Sequence, residues 1–118
     1  MRKYSKRIKR MLREYMTEAY ERELHRELSK LDESFTEWRN GAISSGELSY
    51  LVHQYETGPS RELYKQYNSG SDDMSVAYAI VVGILDEEEV PVDLREAISG
   101  PIDLFRGMQK RGELRERG

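Results

Sequence analysis

The sequence predicts an all-α fold in which a long N-terminal helix packs against a bundle of about five shorter helices in an oligomeric protein. Three observations lead to this prediction. No glycine or proline occurs before Gly41. The apolar residues of that first stretch recur at steps of three or four, which is helical periodicity. The rest of the chain is divided by residues that typically start and stop helices.

The first helix is expected over about residues 4–39. Its apolar positions are Ile8, Met11, Leu12, Tyr15, Met16, Ala19, Tyr20, Leu24, Leu28, Leu31, Phe35 and Trp38. From Leu24 to Trp38 the steps are those of a short coiled-coil seam, and the register slips between Ala19 and Leu24. Serine and aspartate compete with helix backbone hydrogen bonds, so a break near Ser29 to Ser34 stays open as an alternative.

The length of this helix predicts association. It would run roughly 50 Å, whereas a compact chain of this size should be about 35 Å across. We therefore expect another copy of the protein to cover the excess, in a homodimer or homotetramer. The earlier half of the helix is expected to face the partner and the later half to pack in the core. The expected interface residues are Ile8, Leu12, Tyr15 and Ala19.

Two helices are expected to follow the first. Asn40-Gly41 supplies a helix stop, and Ser44 with Glu47 has capping-box spacing for a helix from Ser45 to Glu56. Gly58-Pro59 then predicts a second stop followed by the start of a third helix, since proline is tolerated in a first turn.

A fourth helix is expected through Leu85, and it should lie centrally because residues 76–82 are apolar all round. Its β-branched residues leave a buried strand over 74–85 as an alternative. We favour the helix because no second strand pattern offers a partner.

The remaining chain predicts two short helices, one capped at Asp93 and ending near Ile98, the other running from Ile102 to about Met108. A single domain is expected over residues 1–110. Residues 111–118 are expected to form a charged, frayed tail.

Composition limits the class of protein. The chain has 118 residues, a net charge of -3 and no cysteine. Disulfides and cysteine-based metal sites are therefore excluded, and we expect a cytoplasmic protein. The longest apolar stretch, residues 74–85, is well short of the roughly 20 residues needed to cross a bilayer, so no membrane association is expected.

Charge is distributed unevenly along the chain. Residues 1–13 hold seven basic side chains and no acid, whereas residues 14–37 and 47–96 are acidic. Pairing of the basic end of one copy with an acidic stretch of another would favour an antiparallel dimer. The acidic remainder disfavours nucleic acid as a partner, although binding through the basic segment stays an alternative.

The candidate ligand-binding residues are polar and aromatic. His53 and Glu56 share one side of a helix, and Arg61 follows shortly after; such a group could hold an anion or act as a general base. No catalytic motif accompanies it, so no catalytic residue is assigned. The tyrosines of the later helices could line a pocket. The candidate ligand-binding residues are Tyr55, Tyr64, Tyr78, His53, Glu56 and Arg61.

A metal site is the less favoured interpretation of the polar stripe along the first helix. The stripe consists of Glu14, Glu18, Glu21, His25 and Asp32. Helical di-iron proteins use Glu-x-x-His pairs on separate helices, and this spacing differs. A solvated face with ion pairs is the simpler interpretation, and we expect neither a metal nor a cofactor.

These observations favour a non-enzymatic, homo-oligomeric interaction or regulatory protein. Its expected partner is itself, with another protein as an alternative partner whose identity the sequence does not give. The alternative functions are small-molecule binding in a tyrosine-lined pocket and nucleic-acid binding through the basic N-terminal segment.

Overall fold

The computed structural model describes residues 3–114, of which 80% are helical, and there is no strand among them. The all-α prediction is therefore confirmed, with one long N-terminal helix and several shorter ones. The helices are α1 (Lys6–Arg39), α2 (Ser45–Tyr55), a π-helical turn (Glu56–Ser60), α3 (Arg61–Asn68), α4 (Asp72–Val82), a 3-10 turn (Glu87–Glu89), α5 (Val92–Ala97) and α6 (Ser99–Lys110).

Helix α1 is unbroken over its 34 residues. Ser5 begins it, because the Ser5 hydroxyl accepts a hydrogen bond from the backbone N–H of Ile8 at 3.1 Å. The alternative break near Ser29 to Ser34 does not occur. The Ser29 hydroxyl donates to the carbonyl of His25 at 2.7 Å, so this serine bonds back along the helix and leaves the helix intact.

The start of α1 carries the wrong charge for a helix N-terminus. Lys6 lies in its first turn, which has no acidic residue. The helix dipole is positive at this end and disfavours cations. Lys6→Glu is therefore expected to raise the free energy of unfolding by about 1 kcal/mol, measured by denaturant unfolding. The control is Lys110→Glu in the last turn of α6, where the dipole favours a cation and stability should fall. A loss of stability in both variants would contradict the dipole argument.

The described chain divides into two compact units. One unit combines the chain up to Ala19 with the chain from Ser69 onward, and the other is residues 20–68. Helix α1 contributes to both. The single domain expected over residues 1–110 stays a prediction.

The first unit has a continuous hydrophobic core. It contains thirteen of the sixteen buried hydrophobic residues. Helix α4 lies centrally, as expected from its sequence, with Val76, Ala77 and Ala79 fully buried. It ends at Gly83 in the left-handed conformation that favours glycine (φ 85°). The strand alternative for residues 74–85 is therefore wrong.

Polar contacts reinforce this unit. The Tyr15 hydroxyl donates to the carbonyl oxygen of Glu89 at 3.1 Å, and the Tyr4 hydroxyl donates to Asp73 at 2.8 Å. Arg7 forms an ion pair with Asp93. A hydrogen bond from Arg7 holds the pKa of the Asp93 carboxyl below its ordinary value. Both side chains are exposed, so the pair contributes little to stability.

The second unit is a helical hairpin, formed by the later half of α1 and the helices α2 and α3. The predicted end of one helix and start of the next at Gly58-Pro59 are present, because α2 ends at Tyr55 and α3 begins at Arg61. The connection between them was not predicted, since it is a π-helical turn that keeps the chain helical. Proline has no backbone N–H and its ring collides with the preceding turn of an α-helix. A single wider π turn accommodates both effects.

The last two helices differ in their bounds from the sequence prediction. The residue before α5 is Pro91, and Asp93 lies inside the helix rather than at its cap. Helix α6 begins at Ser99, so Pro101 lies in its first turn, where a missing N–H costs nothing. Of the predicted tail, Arg111 and Gly112 form a turn with Gly112 at φ 73°, and residues 115–118 lie outside the described part.

Candidate protein-interaction surface

The hairpin turn is fixed by matched caps on its two helices. Gly41 ends α1 in the left-handed conformation, and the N–H of Ala42 reaches the carbonyl of Glu37 at 2.8 Å. The capping box predicted for Ser44 and Glu47 is present, with hydrogen bonds of 3.1 and 3.2 Å. The terminal backbone N–H and C=O groups of both helices therefore find hydrogen-bond partners within the turn itself, and the turn needs little apolar burial to form.

The open end of the hairpin is joined by a buried carboxylate. Glu23 of α1 is only 4% exposed, and its Oε2 accepts a hydrogen bond of 2.5 Å from the Tyr67 hydroxyl and one of 3.3 Å from the Gln66 amide. The ring of Tyr20 packs on that of Tyr67 with centroids 5.2 Å apart. These contacts hold α1 against α3 through polar as well as apolar groups.

The hairpin buries little hydrophobic surface. Its fully buried hydrophobic residues are Leu48, Leu63 and Tyr67. It contains five of the seven exposed large hydrophobic side chains of the described chain. These five are Leu28, Trp38, Tyr50, Val52 and Tyr64. Two packed helices have one shared face, so the apolar residues beside that face stay open to solvent.

Two of the exposed residues lie on the same flank of the hairpin. Leu28 follows Leu24 by four residues, and Val52 follows Leu48 by four. Each therefore lies about 40° further around its own helix axis than the earlier leucine, which is at or near the shared face. Because the two helices of the hairpin run antiparallel, the same rotation on both brings Leu28 and Val52 to the same side of the hairpin. Leu28 is 46% and Val52 37% exposed. We call this side, defined by these two residues, the Leu28–Val52 flank.

The opposite flank carries an open cleft of about 340 Å³ between α1 and α2. Its lining residues are Glu27, Lys30, Leu31, Ser34, Leu51, Gln54, Tyr55 and Pro59. Lys30 and Glu27 form an ion pair at 2.9 Å. The lining is part aliphatic and part polar.

Five of the six predicted ligand-binding residues belong to the hairpin. Tyr55 alone among them lines the cleft. His53, Glu56, Arg61 and Tyr64 are exposed on the hairpin. Tyr78 belongs to the other unit, where its ring packs edge-on against Phe105 at 5.7 Å. Small-molecule binding by these residues stays a prediction.

The predicted interface residues lie within their own chain. Ile8, Leu12 and Ala19 are 9%, 2% and 0% exposed. Tyr15 is half-buried, and its hydroxyl is bonded to Glu89. The earlier half of α1 thus packs in a core and the later half is the more open, which is the reverse of the expected division. The assignment of these four residues to a subunit interface stays a prediction.

Sequence reasoning missed Leu28 and Val52 as surface residues, because both fit the periodicity of a buried face. The apolar positions from Leu24 to Phe35 span only about 60° around α1. One neighbouring helix can bury an arc of this width, so the sequence carried no signal that Leu28 would be exposed.

Neither a metal centre nor a membrane span is found within residues 3–114. No three histidine, cysteine, aspartate or glutamate side chains there are grouped so that they could hold a metal ion. None of the described helices is both long enough and apolar enough to cross a bilayer. The polar stripe of α1 therefore provides no assembled metal site.

The fold and the surface together define an all-helical protein with an exposed apolar hairpin. No protein family, curated protein or solved structure matches the chain.

Proposed function

We propose that this chain is a non-enzymatic, homo-oligomeric interaction protein whose copies associate through the Leu28–Val52 flank. The observation that supports it is the concentration of exposed large hydrophobic residues in the hairpin, five of the seven in the described chain. Two of these five, Leu28 and Val52, lie on one flank, and exposed apolar residues that share a surface are typical of association sites.

The partner best suited to this flank is another hairpin of the same kind. Two such hairpins placed face to face form a four-helix bundle, in which each covers the Leu28 and Val52 side chains of the other. The seam spacing of Leu24, Leu28, Leu31 and Phe35 is that of helices packed in this way. In a two-fold symmetric contact each residue contributes once from each copy, which doubles its effect on the free energy of association of a small surface.

The experiment is a measurement of molar mass in solution. Light scattering on a size-exclusion column and sedimentation velocity, over about 1 to 100 µM protein, should show a dimer or tetramer whose population rises with concentration. A monomer at every concentration would overturn the proposal.

A further inference from the structure

A second surface, on the early part of α1, concentrates positive charge. Four exposed cations share one side of this helix, each within about 60° of their mean direction when α1 is viewed along its axis. They are Lys6, Lys9, Arg10 and Arg13. We call these four residues the basic stripe. Ile8, Leu12 and Ala19 are buried on the other side of the same helix. The stripe therefore points away from the core of its unit.

The cations of the stripe have no acidic partner among residues 3–114. The neighbouring Arg7 pairs with Asp93, whereas none of the four takes part in an ion pair or side-chain hydrogen bond within that range. Lys9 and Arg13 also line an open cleft of about 440 Å³ beside Asp72 and Asp73. Those two carboxylates flank the stripe without neutralising it by direct contact.

The stripe does not serve the helix that carries it. Cations near a helix N-terminus oppose the helix dipole and repel one another. The positive end of the dipole adds to their field, so an anion approaching here meets a concentrated positive potential. An arrangement that costs the helix stability and strengthens this potential indicates an anionic partner.

The composition of the stripe identifies the class of anion. Protein interfaces have a desolvated apolar or aromatic centre, and none of the exposed large hydrophobic side chains of the described chain lies within residues 3–19, where the stripe is. A membrane-surface helix needs an apolar face for the lipid, but the apolar face of α1 is buried in its own unit. Nucleic acid needs neither, because cations bind its phosphates by releasing counterions.

We infer that the basic stripe binds the phosphate backbone of nucleic acid without reading its sequence. The net charge of -3 argued against this partner, but net charge averages over the chain, whereas binding depends on the local field. The inference is independent of the proposed self-association, because the stripe shares no residue with the Leu28–Val52 flank.

The test is fluorescence anisotropy with a labelled DNA duplex of about 20 base pairs at 50 and 200 mM NaCl. If the four cations each neutralise one phosphate, the affinity should fall about 150-fold over this range of salt. In the double variant Lys9→Gln/Arg13→Gln, the fall should be about twelve-fold. The matched control Arg39→Gln/Lys110→Gln changes net charge equally at exposed positions off the stripe and should behave as the unmodified protein does.

Several results would overturn the inference. These are absence of binding at 50 mM NaCl, equal salt dependence in the two double variants, or equally tight binding of polyglutamate or of phosphatidylserine vesicles. A change in molar mass on Lys9→Gln/Arg13→Gln with unchanged DNA affinity would instead assign the stripe to a subunit contact. Circular dichroism melts of both variants verify that each is folded.

Discussion

Replacing Leu28 by glutamine is expected to weaken self-association of the chain about thirty-fold. Leu28 is 46% exposed in the single chain, on the flank proposed to meet a second copy. Loss of its burial should cost about 1 kcal/mol per copy, and a two-fold interface contains the residue twice, so about 2 kcal/mol is lost in total. Sedimentation equilibrium of the two proteins gives the ratio of dissociation constants.

The chain offers a closely matched control for this variant. Leu104 lies within α6 and is 50% exposed, so Leu104→Gln makes the same chemical change at a similar exposure in the other unit. We expect its dissociation constant to equal that of the unmodified protein. If Leu104→Gln dissociates the assembly and Leu28→Gln does not, association occurs but the flank has been placed on the wrong unit.

The elements that the sequence predicted well are those decided by local chemistry. A capping box needs only Ser44, Glu47 and the backbone between them, and a left-handed stop needs only Gly41. The continuity of α1 follows from the absence of glycine and proline before that residue. These features require no knowledge of what the helices pack against, so their prediction succeeded.

The π-helical turn could not be predicted in the same way. Gly58-Pro59 ends most helices, and its effect depends on whether the surrounding contacts hold the chain helical on both sides. Here the caps at one end of the hairpin and the Glu23–Tyr67 contact at the other keep α2 and α3 together. The widened turn is thus a consequence of the tertiary structure.

The candidate surface was also beyond local reasoning. Periodicity shows that Leu28 and Val52 lie beside an apolar face, but it does not show how many neighbours cover that face. The burial of Ile8 and Leu12 within their own chain had the same limitation, since a residue buried in its own chain and a subunit contact have the same sequence pattern. Their burial became visible only with the packing of α1 in the unit that includes the chain from Ser69 onward.

The register slip between Ala19 and Leu24 has a physical explanation in the structure. The position that would continue the buried face is occupied by Glu23, a carboxylate that is 4% exposed and accepts a 2.5 Å hydrogen bond from Tyr67. Sequence analysis recorded only an interruption of the apolar pattern. A buried acid at such an interruption requires donors on the facing helix, and Tyr67 and Gln66 supply them.

Tyr67→Phe is therefore expected to lower the free energy of unfolding by about 2 kcal/mol, because the buried carboxylate of Glu23 loses the hydrogen bond that it accepts from the Tyr67 hydroxyl. Denaturant unfolding followed by circular dichroism measures this loss. Tyr64→Phe is the matched control three residues earlier in α3, where the side chain is 61% exposed and the change should stay within about 0.5 kcal/mol.

Repeating the Tyr67→Phe substitution in a Glu23→Gln variant distinguishes the contribution of the hydrogen bond to the free energy of unfolding from that of side-chain packing. In Glu23→Gln the hydrogen-bond acceptor is a neutral amide. Removing the donor from a buried amide costs less free energy of unfolding than removing it from a buried carboxylate. Tyr67→Phe should therefore cost less in that background than in the unmodified chain. Equal costs in the two backgrounds, or a cost no larger than that of Tyr64→Phe, would show that the open end of the hairpin is held by the rings of Tyr20 and Tyr67 rather than by the buried carboxylate.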